Sequence, residues 1–381
     1  MKTVIAMDSF KGSLSSIAAG KAAAEGILRV YPHGEVLVKP LADGGEGTVS
    51  ALVNGLNGTF ETVRVTGPLC ASVDAVYGIL KDGKTAVMEM SQAAGITLIE
   101  AKERNPLHTT TYGVGEMILD AVRKGCRHFL MGIGGSATND GGIGMLMALG
   151  YEFLNPKGKP VALGAAGLKE LSSISGAHVL PELKECKFQI ACDVTNPLWG
   201  ESGCSAVFGP QKGATPEMVR DMDLWMKQYA DLAAAQFPKA DAAFPGTGAA
   251  GGLGFAFLCF TNAVLVSGIQ LVLETVRLEE AIKDADFVLT GEGRLDGQTA
   301  MGKAPAGVAL LAKKYQKPVL AFSGSVSEDA ALCNRNGIDA FFPILQKVCS
   351  LDEAMDPETA SQNMADTVEQ VFRLIRTLKQ S

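Results

Sequence analysis

Residues 1–40 read MKTVIAMDSFKGSLSSIAAGKAAAEGILRVYPHGEVLVKP, and their pattern decides the fold. Thr3 to Met7 is an unbroken apolar run, as a strand covered on both faces requires. Asp8-Ser9-Phe10-Lys11-Gly12-Ser13 is a polar, glycine-containing loop, Ile17 to Val30 is alanine-rich and helical, and Glu35 to Pro40 returns to an extended pattern. Strand, loop, helix, strand is a βαβ unit, so the two strands are expected to lie parallel.

The C-terminal segment repeats the idiom. Buried-type strands are expected at Phe287–Thr290, Pro318–Phe322 and Ala340–Pro343, separated by helical segments near Pro305–Tyr315 and Ser327–Asn336. Together these make five parallel strands, which suits an α/β, doubly wound sheet of flavodoxin-like order with its ligand crevice at the carboxyl ends of the strands. The middle of the chain has another texture. Thr59–Val65, Val73–Ile79 and Ala86–Met90 alternate like an antiparallel meander, followed by helix, strand and loop. We therefore expect a discontinuous first domain, 1–57 and 279–381, interrupted by a second inserted α/β domain, 58–278.

Composition limits the partners. The 381 residues are 47% hydrophobic and 20% charged, and 34 basic residues nearly balance 41 acidic ones, which excludes disorder as the main state. A net charge of −7 without Lys/Arg runs gives no electrostatic hold on nucleic acid or an anionic membrane. The eight cysteines are scattered without a CxxC pair, and the apolar runs are too short for a membrane span or a signal peptide. A cytoplasmic protein acting on small molecules is the expectation. The 44 glycines cluster after apolar runs, as backbone-lined binding loops would.

Several of these loops carry chemistry. Asp8-Ser9-Phe10-Lys11-Gly12-Ser13 ends strand one before a helix, where N–H groups and Lys11 would face an anion; the bland alternative is a capped turn. Pro40-Leu41-Ala42-Asp43-Gly44-Gly45-Glu46-Gly47-Thr48 embeds two carboxylates among glycines, a pattern for holding Mg²⁺ through oxygen or for bonding hydroxyls. Gly132-Ile133-Gly134-Gly135-Ser136-Ala137-Thr138-Asn139-Asp140-Gly141-Gly142 follows the strand His128–Met131 and reads as a phosphate cradle that works through backbone N–H groups and the Ser136 and Thr138 hydroxyls without a lysine. It matches neither the P-loop nor a clean GxGxxG.

Asp193 ends the strand Phe188–Cys192 with the amide of Asn196 nearby. It suits a general base or a magnesium ligand, against an Asx-turn leading into Pro197. Gly246 to Gly254 reads either as a binding loop or as close helix packing. Thr290 to Thr299 supplies Glu292, Arg294 and Asp296, with Lys303 beyond, both signs of charge as a carboxylate substrate or a metal-bearing nucleotide requires. The four histidines form no constellation, and no GxSxG elbow or zinc spacing occurs.

Taken as a set, the loops DSFKGS, PLADGGEGT, GIGGSATNDGG, ACDVTNPL, GAAGGLGF and TGEGRLDGQT, in this order across the whole chain, resemble the class I glycerate kinases. The resemblance implies transfer of the ATP γ-phosphoryl group to D-glycerate, usually giving 2-phosphoglycerate, with Mg²⁺ required, on a flavodoxin-like domain interrupted by a second one. On that reading phosphates lie on Gly134, Gly135, Ser136 and Thr138, and Lys11 faces the transferred group. Asp193 is the base, and Asp43 and Glu46 hold metal or glycerate hydroxyls. Glu292 lies at the nucleotide, and Ser9, Asn196 and Arg294 at the substrate. The rivals are a glycerate 3-kinase, a nicotinamide-dependent hydroxy-acid oxidoreductase, disfavoured by the missing fingerprint after strand one, and a metabolite-binding sensor.

Overall fold

A computed structural model describes residues 1–45 and 47–380. The chain forms two compact units, one of Met1–Asp43, Ser50–Leu56 and the segment from Ile269 onward, the other of Gly44–Val49 and Asn57–Gly268.

The first unit is built on a five-stranded, all-parallel sheet. Across the sheet run Ala340–Pro343, Val319–Val326, Phe287–Leu295, Lys2–Met7 and Glu35–Pro40, so in order of appearance the strands stand 2-1-3-4-5, the flavodoxin-like arrangement. Ile5 lies opposite Leu289 on one side and Val38 on the other. Thr3 to Met7 are all buried, as the unbroken apolar run requires. The helix Ser16–Val30 begins where Ser15 accepts a bond from the Ala18 N–H, and its apolar face joins the long C-terminal helix beginning at Pro357 over the sheet. Ile5, Met7, Ile27, Leu289, Phe322, Val368 and Phe372 form that core.

The third strand corrects an expectation. Residues 291–295 read as a flexible loop beyond Thr290, yet the strand continues to Leu295, with Glu292 paired to Ser323 and Arg294 to Ser325. Glycine hides this extension because it has low strand propensity, but here it is required. A Cβ on Gly291 would stand 2.0 Å from the Phe322 carbonyl oxygen. The segment Ser327–Asn336, read as one helix, is a 3₁₀ turn Glu328–Ala331 followed by a short helix Leu332–Arg335.

The second unit holds a six-stranded mixed sheet. Ala263–Val266, Lys187–Ala191, His128–Gly132 and Thr85–Glu89 are parallel neighbours, and Ser72–Ile79 and Thr59–Thr66 complete it antiparallel. Thr85–Glu89 is thus both the last strand of the meander and the first of the parallel set. Phe129 stacks on Phe188 with ring centroids 4.7 Å apart, and Met131, Leu146, Phe153, Tyr229 and Phe257 fill the core around them. No described helix is long and apolar enough to cross a membrane, and the eight cysteines are free thiols.

Candidate active site

In each unit a cavity opens at the carboxyl ends of the parallel strands, where an open α/β sheet holds its ligands. The cavity of the first unit has a volume of about 460 Å³ and is lined by Asp8, Ser9, Lys11, Asp43, Glu292, Arg294, Asp296 and Lys303, with Phe10, Ile344, Leu351 and Met355 as an apolar wall. Asp8 follows directly on the first strand and is only 8% exposed. One carboxylate oxygen accepts the Ser9 N–H at 2.7 Å. Burial, with added repulsion from Asp43 and Glu292, pushes its pKa up to about 6, against the pull of the Ser9 N–H and of Lys11.

Glu292, on the third strand, is also buried, and its pKa is raised first by that burial. The Thr299 hydroxyl donates to Glu292 Oε1 at 2.6 Å and so fixes the carboxylate. Thr299 is itself held by a capping box: Asp296 accepts from the Gln298 and Thr299 N–H groups, and the Thr299 hydroxyl accepts from the Asp296 N–H. Asp296 is therefore occupied as a helix cap, and Lys303 lies 3.9 Å from it. Lys11 and Arg294 project exposed side chains into the same cavity.

The cavity of the second unit, about 390 Å³, is lined by Gly134, Gly135, Ser136, Asp193 and Lys212 together with Gly44 and Gly45. The loop after His128–Gly132 is held from behind. Ile96 donates its N–H to the Gly135 carbonyl, Ala137 donates to Ala94, and Gly141 donates to Gly251. Asp140 is fully buried and accepts from the Thr111 N–H and hydroxyl and from the Gly142 N–H, which opposes the upward push of burial on its carboxyl. Among the described residues, the N–H groups of Gly134, Gly135 and Ser136 have no protein acceptor. Three free donors on a cavity wall fit phosphate oxygens.

The structure therefore gathers Ser9, Lys11, Asp43, Glu292 and Arg294 in one cavity and Gly134, Gly135, Ser136 and Asp193 in the other. Thr138 lines neither; its side chain is buried with no partner for Oγ1, because it points into the body of the unit. Asn196 also lines neither, since its amide closes a turn by donating to the Ser202 carbonyl at 2.8 Å. Asp193 is exposed, with Oδ1 accepting the Gly268 N–H at 3.0 Å. Glu46 lies outside the described residues.

Two residues were not singled out from sequence. Asp8 carries the same strand-tip signal that drew attention to Asp193. Lys212, in Gly209-Pro210-Gln211-Lys212-Gly213, is only 2% exposed and donates to Ser136 Oγ at 2.8 Å and to the Thr138 carbonyl at 2.6 Å, so a lysine does serve the glycine-rich loop. The lone lysine in a Gly- and Pro-bounded turn was its only trace.

Among the described residues no group of three His, Cys, Asp or Glu is spaced to hold a metal. Mg²⁺ is commonly bound through one or two carboxylates plus phosphate oxygens and water, so the Asp43 carboxylate in the wall of the first cavity fits a divalent cation brought in with phosphate.

Comparison with known proteins shows the family. Residues 3–376 match the glycerate kinase family. A Halalkalibacterium halodurans protein named glycerate kinase is 46% identical over 367 residues, 95% of this chain and 97% of its own length. An Escherichia coli K12 protein named glycerate 2-kinase is 44% identical over 97% of this chain and 98% of its own. The crystal structure of a Salmonella typhimurium LT2 protein assigned as glycerate kinase 2 superposes with a TM-score of 0.92 at 44% identity, covering 100% of both chains. Family match, curated relatives and solved structure agree over nearly the whole length: the chain is an enzyme of the glycerate kinase family.

Proposed function

We propose that this enzyme transfers the γ-phosphoryl group of ATP to the 2-hydroxyl of D-glycerate, giving 2-phosphoglycerate and ADP, with Mg²⁺ and in the cytoplasm. The observation that carries the reading is the cavity of the first unit, where the buried Asp8, with a pKa of about 6, faces Lys11 and Arg294. A carboxyl of that acidity is ionised at neutral pH yet basic enough to accept a hydroxyl proton as the oxygen attacks. The name of the Escherichia coli relative supports the 2-hydroxyl.

Phosphoryl transfer depends on positioning and charge stabilisation more than on covalent help from the protein. Arg294 is assigned to the glycerate carboxylate, which its planar fork can bind through two parallel bonds. Ser9 takes a glycerate hydroxyl, and Lys11 stabilises negative charge on the group in transfer. Burial first, and after it the charges of Asp43 and Glu292, keep Asp8 basic, with Glu292 held in place by Thr299. The free N–H groups of Gly134, Gly135 and Ser136 hold nucleotide phosphates.

Asp43 and Glu46 are the carboxylates that would hold Mg²⁺, which would supply charge neutralisation at the phosphates. Asp193 shares the cavity of the loop and serves there as a further carboxylate toward the metal-bearing phosphates. The apolar wall of Phe10, Ile344, Leu351 and Met355 limits water at the acceptor.

A coupled assay of ADP release from MgATP, run with D-glycerate, with L-glycerate and without acceptor, tests the reading. ADP release that requires D-glycerate is the expected result. Release that is independent of glycerate, or none, overturns it.

A further inference from the structure

The turn Gly209-Pro210-Gln211-Lys212-Gly213 follows the short helix Cys204–Phe208, and its 3₁₀ helix Pro210–Lys212 ends at Gly213, whose φ of +92° stops it. The lysine stem is thereby turned into the unit, and Lys212 becomes one of its largest fully buried side chains. Two of the three ammonium donors are used behind the glycine-rich loop, on Ser136 Oγ and on the Thr138 carbonyl. The third has no acceptor, and no carboxylate stands within ion-pair distance, among the described residues. Yet Lys212 lines the same cavity as the free N–H groups of Gly134, Gly135 and Ser136.

A buried ammonium without a counter-charge is costly and needs either a partner or a purpose. The titratable groups that bear on it do not supply one. Cys204 is pushed up to about 11, chiefly by burial, and stays a neutral thiol, while Asp140 directs its oxygens to Thr111 and Gly142. Burial lowers the pKa of Lys212 itself to about 8, with Cys204 and Asp140 pulling weakly the other way.

We propose that Lys212 is the phosphate-binding lysine of this enzyme: anchored by two bonds to the glycine-rich loop, its ammonium group takes a nucleotide phosphate oxygen as its third partner and missing counter-charge. The inference rests on the reading that phosphates lie on Gly134, Gly135 and Ser136. Unlike a P-loop lysine, which belongs to the loop itself, Lys212 arrives from 76 residues further along the chain than Ser136. The loop supplies directed N–H groups, and the remote lysine supplies the positive charge the loop lacks.

The test is titration calorimetry of the full-length protein with MgADP and with inorganic tripolyphosphate at pH 8.0, in two buffers of different ionisation enthalpy. At that pH Lys212 is about half protonated, and a phosphate beside it raises its proton affinity, so binding takes up roughly half a proton. Lys212→Met keeps the stem without the charge. It is expected to lose that uptake and to bind both ligands roughly 10- to 100-fold more weakly, the range for a charge-assisted bond.

A Lys212→Met protein that binds MgADP within about threefold of the parent overturns the proposal. So does a Lys212→Gln protein, which keeps a hydrogen-bonding head without the charge, if it binds MgADP as tightly as the parent. If Lys212→Met does not fold, MgADP binding by Lys212→Gln decides: affinity lost roughly 10-fold or more supports the proposal, and parent-like affinity overturns it. A parent that binds neither ligand overturns the nucleotide reading itself and the proposal with it, an outcome distinct from intact binding that ignores Lys212.

Discussion

Asp8→Asn should make the protein more stable and nearly inactive, and the size of the gain follows from the structure. Ionised Asp8 is buried beside Asp43 and Glu292, and its pKa rises from 3.8 to about 6. At about 1.4 kcal/mol per pH unit, folding with Asp8 ionised carries a penalty of about 3 kcal/mol. The sign runs with pH. Below 3.8 the carboxyl is protonated in both the folded and the unfolded chain and the penalty vanishes; above 6 it is ionised in both and the penalty is complete.

Asparagine removes the charge and keeps an oxygen for the Ser9 N–H, so the variant should recover most of that energy at pH 8 and only about 1 kcal/mol at pH 4.5. Both tryptophans, Trp199 and Trp225, lie in the other unit, so fluorescence does not report on this one. Hydrogen exchange of the amides of Lys2–Met7, a buried interior strand, does. Exchange in Asp8→Asn should be roughly 100-fold slower than in the parent at pH 8, with the gap closing toward pH 4.5. The same substitution should cost roughly 10² to 10⁴ in kcat and abolish a limb of the kcat/KM profile that rises with a midpoint near 6. Faster exchange at pH 8, or an effect independent of pH, would refute the burial argument, and near-normal kcat would refute the role as base.

Lys212 has the opposite linkage. Its folded pKa of about 8 lies below the unfolded 10.5, so the unfolded chain binds more protons between those values and stability should rise with pH across that window, by at most about 3 kcal/mol; urea unfolding of Lys212→Met should lack that slope. Arg294→Lys should raise the KM for D-glycerate roughly 10- to 100-fold with a smaller change in kcat, because an ammonium cannot form two parallel bonds to a carboxylate; an unchanged KM would remove Arg294 from the substrate. Gly251→Ala places a methyl 2.1 Å from the Thr138 carbonyl oxygen at a φ of +68°, and should cost about 2 kcal/mol or more in unfolding experiments and weaken MgADP binding through the displaced loop.

The βαβ pattern of residues 1–40 was readable because an unbroken apolar run, an alanine-rich helix and a second strand each carry their own local signal, and the order of the first unit's sheet followed from it. Glu292 and Arg294 were recognised as chemical groups but given a flexible loop, because Gly291 and Gly293 mask strand propensity and only pairing with Ser323 and Ser325 supplies it. Ser136 and Thr138 looked equivalent on paper. The fold turns the first to the cavity and buries the second, a distinction set by packing across the loop. Asn196 went to a turn, its amide donating to the Ser202 carbonyl, a bond that the local sequence does not announce. Lys212 was illegible because its meaning comes from Ser136, far away in sequence, and from a burial that a charged residue does not announce.

The most direct measurement of the central claim is the identity of the product formed from MgATP and D-glycerate. With enolase alone added as the coupling enzyme, immediate formation of phosphoenolpyruvate is the result this account predicts, since enolase accepts 2-phosphoglycerate without rearrangement. Product that reaches enolase only after phosphoglycerate mutase is added would mean transfer to the 3-hydroxyl and would contradict it.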